Sequence, residues 1–347
     1  MKLTRRLALL AAAAAVAALP SCSSKSSGKP KVGVVTNCTA EFWSISEAGA
    51  KKAGTDFDVD VDFRQPVNNT VTDQMDIVNA MVQRGLDGLA VSVINPQEQS
   101  DALRGVAGKA KFITMDNDAP NSGRICYIGI DNYEAGKALA RLIKAGMPAG
   151  GTVALFIGST ASANAQARIG GVLDELAGTK GAPREPGSKL GQFTLDGIYT
   201  DDTDQTRAQD RAGDVLEKLR GTPNVCMVGL YEYNPKAILA AAKAKGLSGK
   251  VKIAAFDENA ATLQGIRDGD ILGTVVQDPF NYGYRSVEVL AGLARGDKSK
   301  AVDYKTPSRV VTKAGGEAMT IDGVSVVNIP VDEFAAKLKA DLDSVKK

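Results

Sequence analysis

The sequence predicts an α/β fold made of two doubly wound parallel-sheet lobes joined by a hinge. Short apolar runs alternate with amphipathic stretches from residue 31 onward, the signature of a βαβα series. Most of these runs are continuously apolar rather than alternating, as strands covered on both faces require. Ten such runs are too many for one open sheet of about five or six strands. The 347-residue length agrees with two lobes at roughly 150 residues each.

The strands of the first set are expected at 31–36, 59–64, 88–93, 111–116 and 127–131, and those of the second at 152–158, 193–200, 225–231, 252–257 and 272–277. The helix at 71–84 opens with Thr72 and Asp73, stops at Gly85, and places Val71, Met75, Val78 and Val82 on one stripe. Helices at 133–145, 165–177, 205–220, 235–245 and 286–294 read the same way, with Pro235 suited to a first turn. The chain should change lobe near Asp131-Asn132 and again near Gln277-Asp278. One lobe is then 31–131 with about 278–310, and the other 132–277 with about 311–347. The tail holds β-like pieces at 319–321 and 324–329 and an amphipathic helix at 331–343. No internal sequence repeat is visible.

The first residues read as an export signal. Lys2, Arg5 and Arg6 precede an apolar run over 7–19, too short for a lasting membrane span but suited to a signal core. Thr4-Arg5-Arg6 has a weak likeness to a twin-Arg signal. Leu19-Pro20-Ser21-Cys22 resembles a bacterial lipobox, which implies cleavage after residue 21 and lipidation of Cys22. Residues 22–30 are then a Ser-rich, flexible tether. The expected location is the cell envelope, lipid-anchored at the outer face of the cytoplasmic membrane or in the periplasm.

Composition narrows the chemistry. The formal charge is +2, and removing residues 1–21 takes three basic residues and no acids, leaving 39 basic against 40 acidic. That balance offers no electrostatic footprint for nucleic acid. Histidine is absent, which removes Ser-His-Asp and Cys-His catalysis and every His-ligated metal site. Cys38, Cys126 and Cys226 are an odd number beyond Cys22, so at least one is free or pairs outside the chain. Their apolar flanks suit buried thiols, and no CxxC is present. Asp201, Asp202 and Asp204 lack the Gly and terminal Glu of a calcium loop and read as a solvated acidic turn. Residues 32–37 lack G-x-G-x-x-G, so no dinucleotide is expected; neither is another cofactor or a metal.

In open α/β sheets, ligands sit beyond the C-terminal strand ends. Here that selects residues 36–43, Asn95, Asp116-Asn117, Asp131-Asn132, 159–168, 231–234, Asp257 and Gln277. Carboxylates, amides and a guanidinium collect there with Phe42 and Trp43. A neutral sugar needs this mixture: planar polar groups for its hydroxyls and flat aromatic surfaces for its ring faces. Asn132 suits a cap for the helix at 133.

Several segments carry a resemblance in the same order. They are Val32-Gly33-Val34-Val35 with Glu41-Phe42-Trp43, Ile94-Asn95-Pro96, Met115-Asp116, Gly129-Ile130-Asp131-Asn132, Arg168 to Gly171, Ala255-Phe256-Asp257 and Val276-Gln277-Asp278-Pro279. Over residues 31 to about 312, the chain resembles the type I periplasmic sugar-binding proteins of ABC importers, of the ribose-binding-protein type, in lipoprotein form. The resemblance implies that Phe42 and Trp43 stack on a sugar ring while Asn95, Asp116, Arg168, Asp257 and Gln277 hydrogen-bond its hydroxyls. Asp116 and Arg168 would form a charge pair across the cleft. Ala40, Asn117 and Tyr231 stand where the ribose pattern has Asn, Arg and Asn, and Trp43 where it has Phe. Asn117 and Tyr231 would therefore reshape the hydrogen-bond map away from ribose.

The implied function is a monomeric binding protein that captures a monosaccharide and delivers it to an ABC permease. A receptor for a sugar-like signal in chemotaxis or quorum sensing stays open beside it. A carboxylate-based carbohydrate-active enzyme using Asp116 and Asp257 is disfavoured, because charged partners should keep both ionised and leave no general acid. A repressor would begin with a basic helix-turn-helix rather than an export signal.

Overall fold

The computed structural model describes residues 28–345. The expected signal peptide, Cys22 and most of the tether lie outside the described residues. The first lobe runs β1 (Lys31–Val35), α1 (Glu41–Asp56), β2 (Asp60–Arg64), α2 (Val71–Gln83), β3 (Gly88–Val91), α3 (Pro96–Ala107), β4 (Lys111–Met115) and β5 (Tyr127–Gly129). The second runs α4 (Asn132–Gly146), β6 (Gly151–Ile157), α5 (Ala163–Ala177), β7 (Lys189–Leu190), β8 (Phe193–Thr200), α6 (Gln205–Lys218) and β9 (Val225–Gly229). It continues with α7 (Tyr233–Ala244), β10 (Lys252–Phe256), α8 (Ala260–Asp268) and β11 (Gly273–Val276). The chain then adds α9 (Pro279–Ala294), β12 (Tyr304–Lys305), β13 (Arg309–Thr312), β14 (Gly316–Ile321), β15 (Val324–Pro330) and α10 (Val331–Asp343).

Two sheets form. The first is ordered β12-β5-β4-β3-β1-β2 and is wholly parallel. The second is ordered β14-β15-β13-β11-β10-β9-β6-β8-β7, with β7, β13 and β14 each antiparallel to a neighbour. Five strands were expected in each; six and nine are present, because the tail adds β12 to the first sheet and β13, β14 and β15 to the second, and the short β7 pairs with β8 at the second sheet's other edge. The orders β2-β1-β3-β4-β5 and β8-β6-β9-β10-β11 are the same winding, so the lobes repeat in topology without a visible sequence repeat. Helix α9 packs back on the first sheet, so the chain crosses between lobes after β5, after β11 and after β12.

The apolar runs are continuous because both faces are covered. Val32, Val34 and Val35 of β1 are fully buried, as is every residue of β9. Helix α1 was not among the expected helices. Its buried face is Phe42, Trp43, Ile45, Ser46, Gly49, Ala50 and Ala53, the last four of them small residues that give little hydrophobic periodicity. Small residues are needed because α1 crosses α9 backbone to backbone: a Cβ on Gly283 would lie 1.9 Å from the Ser46 carbonyl oxygen. In the second lobe α4 and α5 cross in the same way. There a Cβ on Gly136 would lie 2.3 Å from the Arg168 carbonyl oxygen, so this crossing sets the position of Arg168.

Candidate functional site

A cavity of about 240 Å3 lies between the C-terminal strand ends of the two sheets. From the first lobe, α1 contributes Phe42 and Trp43, and the end of β4 contributes Asp116. From the second, α5 contributes Arg168, while Tyr231 and Asp257 follow β9 and β10. Gln277, just after β11, lies where the chain returns to the first lobe.

Asp116 and Asp257 occupy equivalent places in the two lobes. Each leaves its strand with a left-handed backbone, φ 57° and 65°, a conformation Asp tolerates better than most residues. Each backbone N–H is held by the next strand, Asp116 to the Ile128 carbonyl at 2.8 Å and Asp257 to the Val275 carbonyl at 2.7 Å. This turn aims both carboxylates into the cavity instead of capping a helix. Ser92 Oγ donates to Asp116 Oδ2 at 2.7 Å, and Gln277 Nε2 donates to Asp257 Oδ1 at 2.7 Å.

Arg168 is fixed at three points. Its Nε donates to Asn132 Oδ1 at 2.9 Å, its Nη1 donates to the Leu230 carbonyl at 2.8 Å, and its guanidinium lies 3.9 Å above the Phe256 ring centroid. Its near ion partner is Asp257, at 3.8 Å, within its own lobe. Asp116, across the cleft, feels the same guanidinium at longer range, without a direct ion-pair contact. Asn132 orients Arg168, and the cap of α4 is Asp131, whose carboxylate accepts from the N–H groups of Tyr133 and Glu134.

Phe42 and Trp43 meet edge to face at 4.9 Å and are both buried. Each also borders the cavity, because α1 begins at the cleft between core and site. Trp43 Nε1 donates to Asn37 Oδ1 at 3.1 Å, which fixes the indole plane. Opposite, the Tyr231 hydroxyl is hydrogen-bonded to Ser162 Oγ at 2.7 Å and within donating distance of Asn164 Oδ1 at 3.3 Å.

Two expected residues are not on the wall. Asn95 turns its side chain back to accept from the N–H groups of Gln97 and Glu98, capping α3 ahead of Pro96; Ile94 borders the cavity instead. Asn117 is fully buried and does not border the cavity. It donates to the Val93 carbonyl, and its Oδ1 accepts from the Asn164 backbone N–H at 3.0 Å, bridging the lobes. A second bridge runs from Asn259, at the start of α8, to Glu41 at 3.0 Å and to Glu232. Sequence reasoning missed Asn69, Asp202 and Thr203, which border the cavity from the loops after β2 and β8. Those loops also begin at C-terminal strand ends, so the strand-end rule applied to every strand finds them.

The acidic turn differs from expectation as well. Asp201 is buried and accepts from Tyr233 at 2.5 Å and Asn234 at 2.8 Å, while Asp204 caps α6. The three described cysteines are free thiols; Cys38 borders the cavity, and burial pushes its pKa up to about 12. Burial also raises the pKa of Asp116 against the opposing pull of Arg168 and the Ser92 hydrogen bond. Asp257 is pushed up to about 7 by burial, with Arg168 and Gln277 opposing and Asp116 adding to the rise. Charged partners therefore do not hold both carboxylates firmly ionised in the empty site: desolvation outweighs them.

Three comparisons place this geometry among known proteins. The profile of the family described as "Periplasmic binding protein domain" matches residues 32–298. The chain is 23% identical over 316 residues to the ribose import binding protein of Salmonella typhimurium, covering 89% of this chain and 99% of that one. It is 25% identical over 265 residues to the xylose/arabinose-binding protein of Sulfolobus acidocaldarius, covering 71% of this chain and 61% of the relative's length. A crystal structure of an ABC transporter solute-binding protein from Burkholderia graminis, in complex with D-arabinose, superposes with a TM-score of 0.76. It is 26% identical, and the superposition covers 83% of this chain and 97% of that one.

Proposed function

This chain belongs to the periplasmic binding protein domain family, and from that premise we propose that it captures a monosaccharide between its lobes and hands it unchanged to an ABC permease. The observation that carries the proposal is the cavity wall. Phe42 and Trp43 of α1 and Tyr231 border it together with strand-end polar groups contributed by both lobes. At about 240 Å3 the space is below the roughly 300–1,000 Å3 of drug-sized sites and suits one sugar ring.

Residues 31–131 with about 278–310, and 132–277 with about 311–347, act as the two halves of a clamp. Closure couples to ligand because only the closed form presents Asp116 and Asp257 to the same molecule. Phe42, Trp43 and Tyr231 bound the ring, and Asp116, Arg168, Asp257 and Gln277 bond its hydroxyls. The protein works as a monomer without cofactor, tethered through lipidated Cys22 at the outer face of the cytoplasmic membrane. It is a carrier and not an enzyme: Asp116 and Asp257 bond the ligand's hydroxyls, Asp202 and Glu232 are taken up by Arg207 and Asn259, and burial keeps the Cys38 thiol protonated.

A thermal-shift panel of pentoses, hexoses and polyols tests this. A ligand at a hundredfold excess over its Kd stabilises by about 2.7 kcal/mol, enough to raise Tm by several degrees. One sugar or a few related sugars should give that shift and be recovered intact. No shift across the panel, or recovery of a cleaved product, overturns the proposal.

A further inference from the structure

We propose that Glu41 and Asn259 form a latch between the lobes, in which Asn259 positions the clamp in its closed form and so sets how long a bound sugar is held; this rests on the sugar-binding reading above. Asn259 stands at the start of α8, two residues beyond Asp257, and is 3% exposed. Its Oδ1 accepts from the Ala261 N–H at 2.9 Å and caps the helix, which leaves both amide hydrogens for other partners. One goes to Glu232 in the same lobe. The other goes to Glu41 Oε2, 3.0 Å away, where α1 of the opposite lobe begins. Each of the three residues is tied to the cavity wall through the chain. Glu41 precedes Phe42 and Trp43, Glu232 follows Tyr231 and itself borders the cavity, and Asn259 follows Asp257.

The two bonds differ in what lobe motion does to them. Asn259 and Glu232 move together, so their bond persists. The bond to Glu41 spans the cleft and exists only when the lobes meet; when they part, water solvates the exposed Glu41 instead. Neither bond involves a ligand atom. Neither needs Glu232 ionised: the amide donates to a carboxyl oxygen in either protonation state, so the upward push of burial on Glu232 leaves the latch intact. Glu41 also acts on Glu232 as a like charge, which opposes the latch and lets it reopen. A bond of this kind stabilises closure itself. It raises the fraction of molecules ready to hold a ligand, and so tightens every ligand by one common factor. A residue that touches the sugar instead changes the ranking among sugars.

The test combines stopped-flow Trp43 emission, with the sugars that bind in the panel above, and small-angle scattering of the empty mature protein. Glu41→Ala should weaken every binding sugar by the same factor, about five- to tenfold for one hydrogen bond to a charged acceptor at a part-exposed site. The loss should come from faster release, with association unchanged. Glu41→Gln keeps an oxygen for Asn259 and removes the like charge, so it should bind at least as tightly as the parent. Asn259→Ser keeps the cap of α8 but cannot reach Glu41. Added to Glu41→Ala, it should weaken binding no further. Without sugar, Glu41→Ala should have a larger radius of gyration than the parent, because part of the empty parent is latched. A factor that differs among sugars, a loss in Glu41→Gln equal to that in Glu41→Ala, effects that multiply in the double variant, or empty forms that scatter alike would each overturn the latch while sugar capture stands. Should no sugar bind, the reading of the cavity fails, and the scattering of the empty protein decides the latch by itself.

Discussion

Replacing Asp257 by Asn should make the empty protein more stable, increasingly so as pH rises. The side chain is 4% exposed, and burial pushes its pKa from 3.8 to about 7. About three pKa units at 1.36 kcal/mol each correspond to about 4 kcal/mol. The sign follows from the direction of the shift. The folded state holds the proton more tightly than the unfolded state. The stabilisation is therefore complete below about pH 4 and is lost as pH rises through 7. Asn cannot ionise and can still accept the Gln277 hydrogen bond. Between pH 5 and pH 8 the stability gap between Asp257→Asn and the parent should widen by roughly 2.5 kcal/mol, a relative Tm gain on the order of 5 °C. Comparing the two proteins at each pH by thermal and urea unfolding cancels groups that titrate alike in both. The same substitution should weaken sugar binding at least tenfold, since Asp257 borders the cavity. A gap that stays constant or narrows with pH would show that Arg168 compensates the buried charge in full, and the desolvation argument would be wrong.

Two further predictions concern the frame around the site. Gly136→Ala places a methyl 2.3 Å from the Arg168 carbonyl oxygen and forces α4 from α5. It should destabilise by about 1–3 kcal/mol and weaken ligand binding at least tenfold, against the usual gain of roughly 0.5–1 kcal/mol for Ala over Gly inside a helix; urea unfolding and titration read both. Cys22→Ser should abolish incorporation of labelled fatty acid and release the protein from the membrane fraction; unchanged labelling would move the anchor elsewhere.

Most of the ten expected strands were legible as continuous apolar runs, with β2 and β8 alternating instead, and the helices at 71–84 and 331–343 because Val, Met, Leu and Phe repeat at helical spacing. Helix α1 was hidden by its Gly and Ala contact face, whose purpose is visible only once α9 lies against it. Asp116 and Asp257 were found because a carboxylate ending an apolar strand marks a cleft in an open sheet. Asn95 was misplaced although Asn before Pro is a helix-start signal, and here the cap holds the side chain out of the cavity. The orientation of Asn117 was beyond the sequence, because it depends on a backbone N–H of α5 brought across the cleft by folding. The sequence pointed to Arg168 beside Asp116 but not to its nearer partner Asp257, and burial outweighs the pull of Arg168 on both carboxylates.

Trp43 is the sole tryptophan, 2% exposed, and its ring borders the cavity with Nε1 tied to Asn37. Its emission therefore reports the site without a label. Titration with monosaccharides should give one saturable, stoichiometric change with the fitting ligand, and Asp116→Asn should move the midpoint at least tenfold. Emission that stays flat for every pentose, hexose, cyclitol and amino sugar, while the protein remains folded, would contradict sugar capture between the lobes.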